Sequence, residues 1–282
     1  MHGVLLDQFV ASRKAAPAEL VLDVDATHVP LHGQQKRAHF NAHYDNHCYL
    51  PLYVFCGQDM LAFVLRPSWR DPASIVSAVL KLLARRLRQA WPRVRLVVRG
   101  DSGFSQAKVL RRLEAWGIDY VLGVQKNPVL EWNCALAARA VAERHAANGA
   151  KERLIGEFSS SLSGDASELY ERLCCARGEA ENRIKEAQLD LFGRRASCHR
   201  CAANQMRRLL AALAYTLMIN LRRLALLGTE LQQACTVTIR TPLLKIGAAV
   251  LRNTRRVRRM LASQHPLRQV FEVAAARLAP VP

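Results

Sequence analysis

The chain has 282 residues, half of them apolar, which suffices for a full buried core in one large domain or two ordinary ones. Its 41 Lys and Arg against 23 Asp and Glu give a formal charge of +18, the balance of a protein that meets a polyanion. No uninterrupted apolar stretch is long enough to cross a membrane, and Met1-His2-Gly3-Val4 lacks the basic-then-apolar pattern of a secretory leader, so neither membrane insertion nor secretion is expected.

Alternation over 20–25 predicts a strand with Leu20, Leu22 and Val24 on one face and Val21, Asp23 and Asp25 on the other. Pro30 and Gly33 break the chain, and 38–43 and 49–55 read as two more strands. Gly57-Gln58-Asp59 reads as a hairpin turn into a strand over 60–65. Asp71-Pro72 opens a helix to about Trp91, with the apolar stripe Ile75, Val79, Leu82, Leu83 and Leu87. The apolar run 94–98 predicts a central strand. A helix over 105–116 stops at Gly117, and 120–124 is a further strand. Strands joined by turns, then strands joined by helices, predict an α/β fold: a mixed sheet with flanking helices, in the order of the ribonuclease-H-like fold.

Farther along, 129–147 reads as an Ala-rich helix and 148–164 as a loop with a serine run. A helix over 166–191 carries the stripe Leu169, Leu173, Ala176, Ala180, Ile184, Ala187 and Leu191. Helices are also predicted over 201–227 and 243–261, the last ending in Arg252-Asn253-Thr254-Arg255-Arg256-Val257-Arg258-Arg259. The expected division is a catalytic core over 1–200 and a basic helical region over 201–282.

Charge is unevenly placed. From Arg194 onward, 16 Lys and Arg stand against only Glu230 and Glu272, so this last third holds +14 of the +18. Phosphate backbone is the simplest partner for it. An anionic membrane, the ribosome or a merely solvated face are the alternatives. Eight cysteines, Cys48, Cys56, Cys134, Cys174, Cys175, Cys198, Cys201 and Cys235, are dispersed as reduced cytoplasmic thiols would be.

Three acids stand apart. Asp25 closes an apolar strand, Asp101 follows another in Arg99-Gly100-Asp101-Ser102-Gly103-Phe104, and Glu181 lies at the buried edge of a helix between Arg177 and Lys185. Each has a plainer reading. Asp25 could close a turn, Asp101 could accept local N–H groups, and Glu181 could pair with its i±4 neighbours. Together, two strand-end acids and one helix acid suit a pair of divalent ions acting on phosphodiesters. His39, His43 and His47 recur every four residues, but in a strand-rich stretch they read as surface or satisfied histidines. Cys198-His199-Arg200-Cys201 has no second pair at zinc-finger spacing and reads as a helix entrance. Walker, dinucleotide and nucleophile-elbow motifs are not found, so ATP-driven and serine-hydrolase chemistry has no support.

Leu22-Asp23-Val24-Asp25-Ala26-Thr27, Leu31-His32-Gly33-Gln34-Gln35, the run 49–55, Arg99-Gly100-Asp101-Ser102-Gly103-Phe104, Glu181-Asn182-Arg183-Ile184-Lys185-Glu186 and Ser197-Cys198-His199-Arg200 occur in one order. This set resembles the group-1 DDE transposases of bacterial insertion sequences, from about Asp7 into the C-terminal helices. The resemblance implies a ribonuclease-H-like core using two Mg²⁺ ions, with Asp25, Asp101 and Glu181 as metal-holding catalytic acids. It also implies Arg177 as a DNA-phosphate contact, DNA as partner (element ends and target), and a bacterial cytoplasmic, nucleoid-associated setting; it allows a homodimer. Departures are Cys174 for the family's tyrosine, Gln188 for a lysine, and only 24 residues ahead of Asp25. The stretch from Val124 to Ala166 also looks too short to hold the family's further strands. Hence a truncated copy is expected. The function expected is metal-dependent strand cleavage and transfer, with Arg255, Arg256, Arg258 and Arg259 also on DNA. An inactive remnant that only binds DNA is the alternative, and an acid-triad nuclease with a repair role is a third.

Overall fold

Strand β1 (Glu19–Ala26) is an interior strand of a seven-stranded sheet. It is reached from helix α1 (His2–Ala11). In this computed structural model, residues 2–31, 33, 35–71, 73–123, 138–144, 154–160, 162, 178–194 and 196–279 are described. They divide into two compact units, one of Met1–Ile184 with Arg194–Leu209 and one of Lys185–Gly193 with Leu210–Pro282.

In the first unit, the connection after β1 forms a small three-stranded sheet of β2 (Val29–Pro30), β3 (His39–Asn41) and β4 (Asn46–Tyr49), in the order β2-β4-β3. The main sheet resumes with β5 (Leu52–Cys56), β6 (Asp59–Val64), β7 (Arg95–Gly100) and β8 (Asp119–Gly123). Its full order is β6-β5-β1-β7-β8-β10-β9, with β9 (Ala138–Arg144) and β10 (Leu154–Ser160) last. Strands β6, β5 and β1 are antiparallel neighbours, whereas β1, β7 and β8 run parallel. This mixed sheet, with antiparallel hairpins first and crossovers after, is ribonuclease-H-like.

The parallel pairs need helical crossovers. These are α2 (Ala73–Ala90), whose first turn begins with the Ala73 N–H donating to Asp71 Oδ1 at 2.9 Å, and α3 (Ala107–Ala115). Gly117, at φ +58°, ends α3 in the left-handed conformation that glycine adopts without strain. Leu20, Leu22 and Val24 pack with Phe9, Val76, Leu80, Leu83, Leu87, Val109 and Leu113 in one core.

Two expectations fail between 129 and 164. Residues 138–144 are a strand, not part of an Ala-rich helix, and 154–160 are a strand, not a loop. Each residue of β9 from Ala138 to Arg144 is registered against β10, and β10 is registered against β8. Weak local helix preference yields to an available sheet edge. The short interval therefore still supplies two strands.

The second part of the chain contains α4 (Gly178–Lys185), a π-helical turn at Glu186–Asp190, and α5 (Cys201–Leu224). Then come α6 (Thr236–Arg240), β11 (Ala248–Arg252), β12 (Val257–Leu261) and α7 (Arg268–Leu278). Within the second unit, Met218, Ala225, Leu226, Leu231, Ile239, Leu243, Leu267 and Ala274 form a core. Buried Arg222 donates to Glu186 Oε2 at 2.8 Å. The helix expected over 243–261 is instead an antiparallel hairpin, β11 on β12. Its turn is closed by Asn253, whose Oδ1 accepts the N–H groups of Arg255 and Arg256 at 3.0 and 2.7 Å. Such a side-chain turn competes directly with helix continuation.

The Cys198-to-Cys201 stretch is the entrance to α5. Asn204, fully buried, accepts the Cys198 N–H at 3.0 Å and donates to the Cys198 carbonyl at 2.7 Å and to Gln35 Oε1 at 3.2 Å. Two of the motif segments are thus joined by one amide side chain.

Candidate active site

Asp25 and Asp101 are brought together by strand register. On parallel β1 and β7, Val24 stands opposite Gly100, so the next residue on each chain is an acid at the strand's C-terminal end. Gly100 makes the approach possible. A Cβ there would lie 3.1 Å from Leu122 Cδ2, 3.2 Å from Phe104 Cδ2 and 3.3 Å from the Val24 carbonyl oxygen. Asp101 is extended and starts the 3₁₀ turn Ser102–Phe104, its Oδ1 accepting the Gly103 N–H at 2.9 Å. Asp25 Oδ1 accepts the Ala26 N–H at 2.7 Å. The local N–H bonding of the plainer reading of Asp101 is therefore present, and a local N–H bond fixes each carboxylate at its strand end.

The other acid on this strand face is committed elsewhere. Asp23 is 3% exposed and lies directly opposite Arg99, which grips it with two nitrogens: Nε to Oδ1, and Nη2 to Oδ2 at 2.8 Å. A bidentate guanidinium–carboxylate pair holds Asp23 as a buried strut. This separates the two acids of Asp23-Val24-Asp25 by role. Sequence reasoning passed over Arg99, although a cation inside the run Val97-Val98-Arg99 calls for a buried opposite charge.

A cavity of about 390 Å³ opens beside the pair, lined among others by Ala26, Tyr44, Arg66, Trp69, Asp71 and Asp101. Tyr44 stacks on His28, with ring centroids 4.4 Å apart and planes 16° apart. Its phenol is held above its ordinary range, first by burial and then by the charges of Asp25 and Asp101. Both carboxylates thus bear on one point. Arg66 is fully buried and donates through Nη1 to the Arg70 carbonyl, while Nε and Nη2 have no partner among the described residues. Burial pushes its pKa down to about 10, against the opposing pull of Asp71, Tyr44 and Asp101. Neither Tyr44 nor Arg66 carried a motif signal.

Glu181 lies half-buried on α4, between buried Ala180 and Ile184, as its place beside the apolar stripe predicted. Among the described residues, no three His, Cys, Asp or Glu side chains form a group able to hold a metal ion. Asp25, Asp101 and Glu181 therefore do not form such a group among the described residues. Two hard carboxylates on adjacent strand ends fit a divalent cation such as Mg²⁺ as a partial ligand set. Arg177 lies outside the described residues. Arg255, Arg256, Arg258 and Arg259 are all exposed on the β11–β12 hairpin. His39 and His47 sit on β3 and β4 with His43 between them, so the three do not share a helix face.

Comparison with solved structures returns transposases at low likeness. A piggyBac transposase synaptic complex with hairpin DNA is 11% identical at a TM-score of 0.48, covering 71% of this chain and 46% of that one. The catalytic domain of Mos1 mariner transposase is 12% identical at 0.28, covering 42% of this chain and 55% of that one. The Drosophila P element transposase strand transfer complex is 16% identical at 0.24, covering 41% and 25%. This chain therefore spans about half or less of the length of these proteins. No curated protein matches it. The family model for the transposase DDE domain, group 1, matches residues 1–160 and 145–282. By a match that runs the length of the sequence, the chain belongs to the group-1 DDE-domain transposase family.

Proposed function

We propose that the chain is a DNA transposase catalytic core that cleaves and transfers strands of an insertion element in a metal-dependent reaction. The observation that carries this reading is the placement of Asp25 and Asp101 side by side at the ends of β1 and β7, next to a cavity. Asp25 and Asp101 would hold divalent metal, with Glu181 of α4 supplying the third carboxylate once DNA and metal are bound. Two Mg²⁺ ions held there would supply the charge that activates a water or 3′-hydroxyl and stabilises the leaving oxygen of an in-line displacement. Tyr44, kept protonated by its surroundings, retains a hydrogen-bond donor beside the two acids. DNA, as element ends and target, is the proposed partner. The last third supplies affinity through its surplus of 16 Lys and Arg over two acids.

A second reading, a chain that binds DNA without cutting it, draws its support from the acid pair lacking a third member among the described residues. Purified chain incubated with supercoiled plasmid carrying the element's ends separates the two. Mg²⁺-dependent nicking and joining that disappear in Asp25→Asn, Asp101→Asn and Glu181→Gln are expected. Binding with no nicking in any divalent metal would establish the second reading. Nicking without joining would mark a nuclease.

Tyr44 offers a readout that needs no turnover. Cation binding at the acid pair offsets the charge that raises its pKa, so its ultraviolet-monitored titration should move downward when Mg²⁺ is added. The shift should be absent in the Asp25→Asn, Asp101→Asn double variant. A Mg²⁺-insensitive phenol in the parent chain would argue against metal at this pair.

A further inference from the structure

We propose that the β11–β12 hairpin is a ribbon that enters the major groove of duplex DNA and reads base edges, a step beyond the general phosphate affinity proposed above and resting on that DNA-handling reading. The two strands make a ladder from Ala248 opposite Leu261 to Arg252 opposite Val257. The Ala262 N–H extends it by donating to the Gly247 carbonyl at 3.0 Å. Every residue of β11 is exposed, as is every residue of β12 but the last. An isolated two-stranded ribbon is at best marginally stable in water, so a ribbon with two open faces is built to be covered.

Charge says by what. Residues 252–259 contain five arginines and no acid, which suits a polyanion and disfavours a second copy of the same ribbon. Two strands about 4.8 Å apart, with their side chains, match the width of a major groove of about 12 Å, which admits a two-stranded ribbon.

The register divides the arginines by task. Residues opposite each other, and residues two apart, share a face. Arg252, Arg259, Val250 and Val257 are therefore on one face, and Leu251, Met260 and Arg258 on the other. The first face combines two long bidentate donors with two β-branched apolar groups. Arginine meets guanine O6 and N7, and an apolar group meets the thymine methyl. This face lies toward the base edges. Arg255 and Arg256 sit at the turn that Asn253 organises, where they meet phosphate as the groove wall passes the tip.

The test uses the full chain and 30-base-pair duplexes selected from a random pool, with binding followed by fluorescence anisotropy. Premethylation of guanine N7 with dimethyl sulfate should weaken binding at discrete positions, and that pattern should vanish in Arg252→Ala, Arg259→Ala. Each of those losses should cost about tenfold on selected duplex and little on unselected duplex. Arg255→Ala, Arg256→Ala should leave the pattern intact and flatten the log–log salt slope by about 1.8. All four positions are exposed and outside the core, and circular dichroism checks that each variant folds.

Guanine methylation without effect, or competition by the minor-groove ligand distamycin instead, would overturn the major-groove assignment. A DNA-free dimer in sedimentation that Met260→Glu abolishes would show that a second copy covers the ribbon, and would also overturn it. Failure to bind any duplex at low salt would sink the DNA-handling reading itself, a result distinct from loss of the guanine pattern alone.

Discussion

At the scale of single residues, the two acids of Asp23-Val24-Asp25 differ because of what stands opposite on the neighbouring strand. Asp23 meets Arg99 and is buried with it; Asp25 lies two residues beyond, at the strand end. Removing one member of a buried pair leaves an uncompensated charge. Arg99→Met should therefore destabilise the fold by about 3–5 kcal/mol. The double variant Asp23→Leu, Arg99→Met should recover most of that loss in a urea denaturation series. A recovery no larger than experimental error would mean that the pair contributes more than mutual neutralisation. Cys56 gives a pH-dependent case. Burial pushes its thiol from an ordinary 9.0 up to about 12. Above pH 9 the unfolded chain ionises this thiol while the folded chain does not. Native stability is therefore lost as pH climbs from 9 toward 12, and Cys56→Ala should remove that contribution. At pH 8 the exposed Cys235 should react with a disulfide reagent while buried Cys56 resists, and equal rates at the two sites would contradict the buried placement.

Elements were legible where side chains have one clear inward face. The β1, β5 and β7 strands follow from alternation and apolar runs, α3 from its Gly117 stop and α2 from a helical stripe. Leu82 of that stripe is nonetheless exposed, and Val76 and Leu80 face the core instead. The misreadings share a physical cause. Residues 138–144 and 154–160 have weak local signatures, and partners far along the chain decide their state. At 243–261, Gly247 and the Asn253 turn outweigh a run of helix-compatible side chains. The turn after the π-helical segment makes a test at this scale. At Gly193, an added Cβ would stand 2.5 Å from the Ala187 carbonyl oxygen, backbone that cannot swing aside. Gly193→Ala should cost about 1–3 kcal/mol, measured as a lowered denaturation midpoint. An unchanged midpoint would show that the turn relaxes freely.

At the scale of the whole molecule, a net charge of +18 opposes compaction, while the buried Asp23–Arg99 pair is shielded from solvent ions. Raising NaCl from low to physiological levels should therefore raise the melting temperature of the DNA-free chain, read by scanning fluorimetry. The same change should weaken duplex binding steeply, by a log–log slope of about −0.9 per phosphate contact. Salt that lowers the melting temperature would mean exposed ion pairs outweigh the repulsion. The stretch after Val124, expected to offer only a helix and a serine loop, supplies β9 and β10 to the sheet. Composition alone carried the charge argument, and the ordered motifs carried the family. Strand-end positions of Asp25 and Asp101 were also readable, since acids closing apolar runs have few other places to go. Their meeting was not, because it depends on β1 and β7 being parallel neighbours in one register. The commitment of Asp23, the burial of Arg66 and the ribbon form of the arginine-rich segment likewise came only from packing. Each depends on which distant residue stands opposite, and a periodicity along one chain carries no record of that.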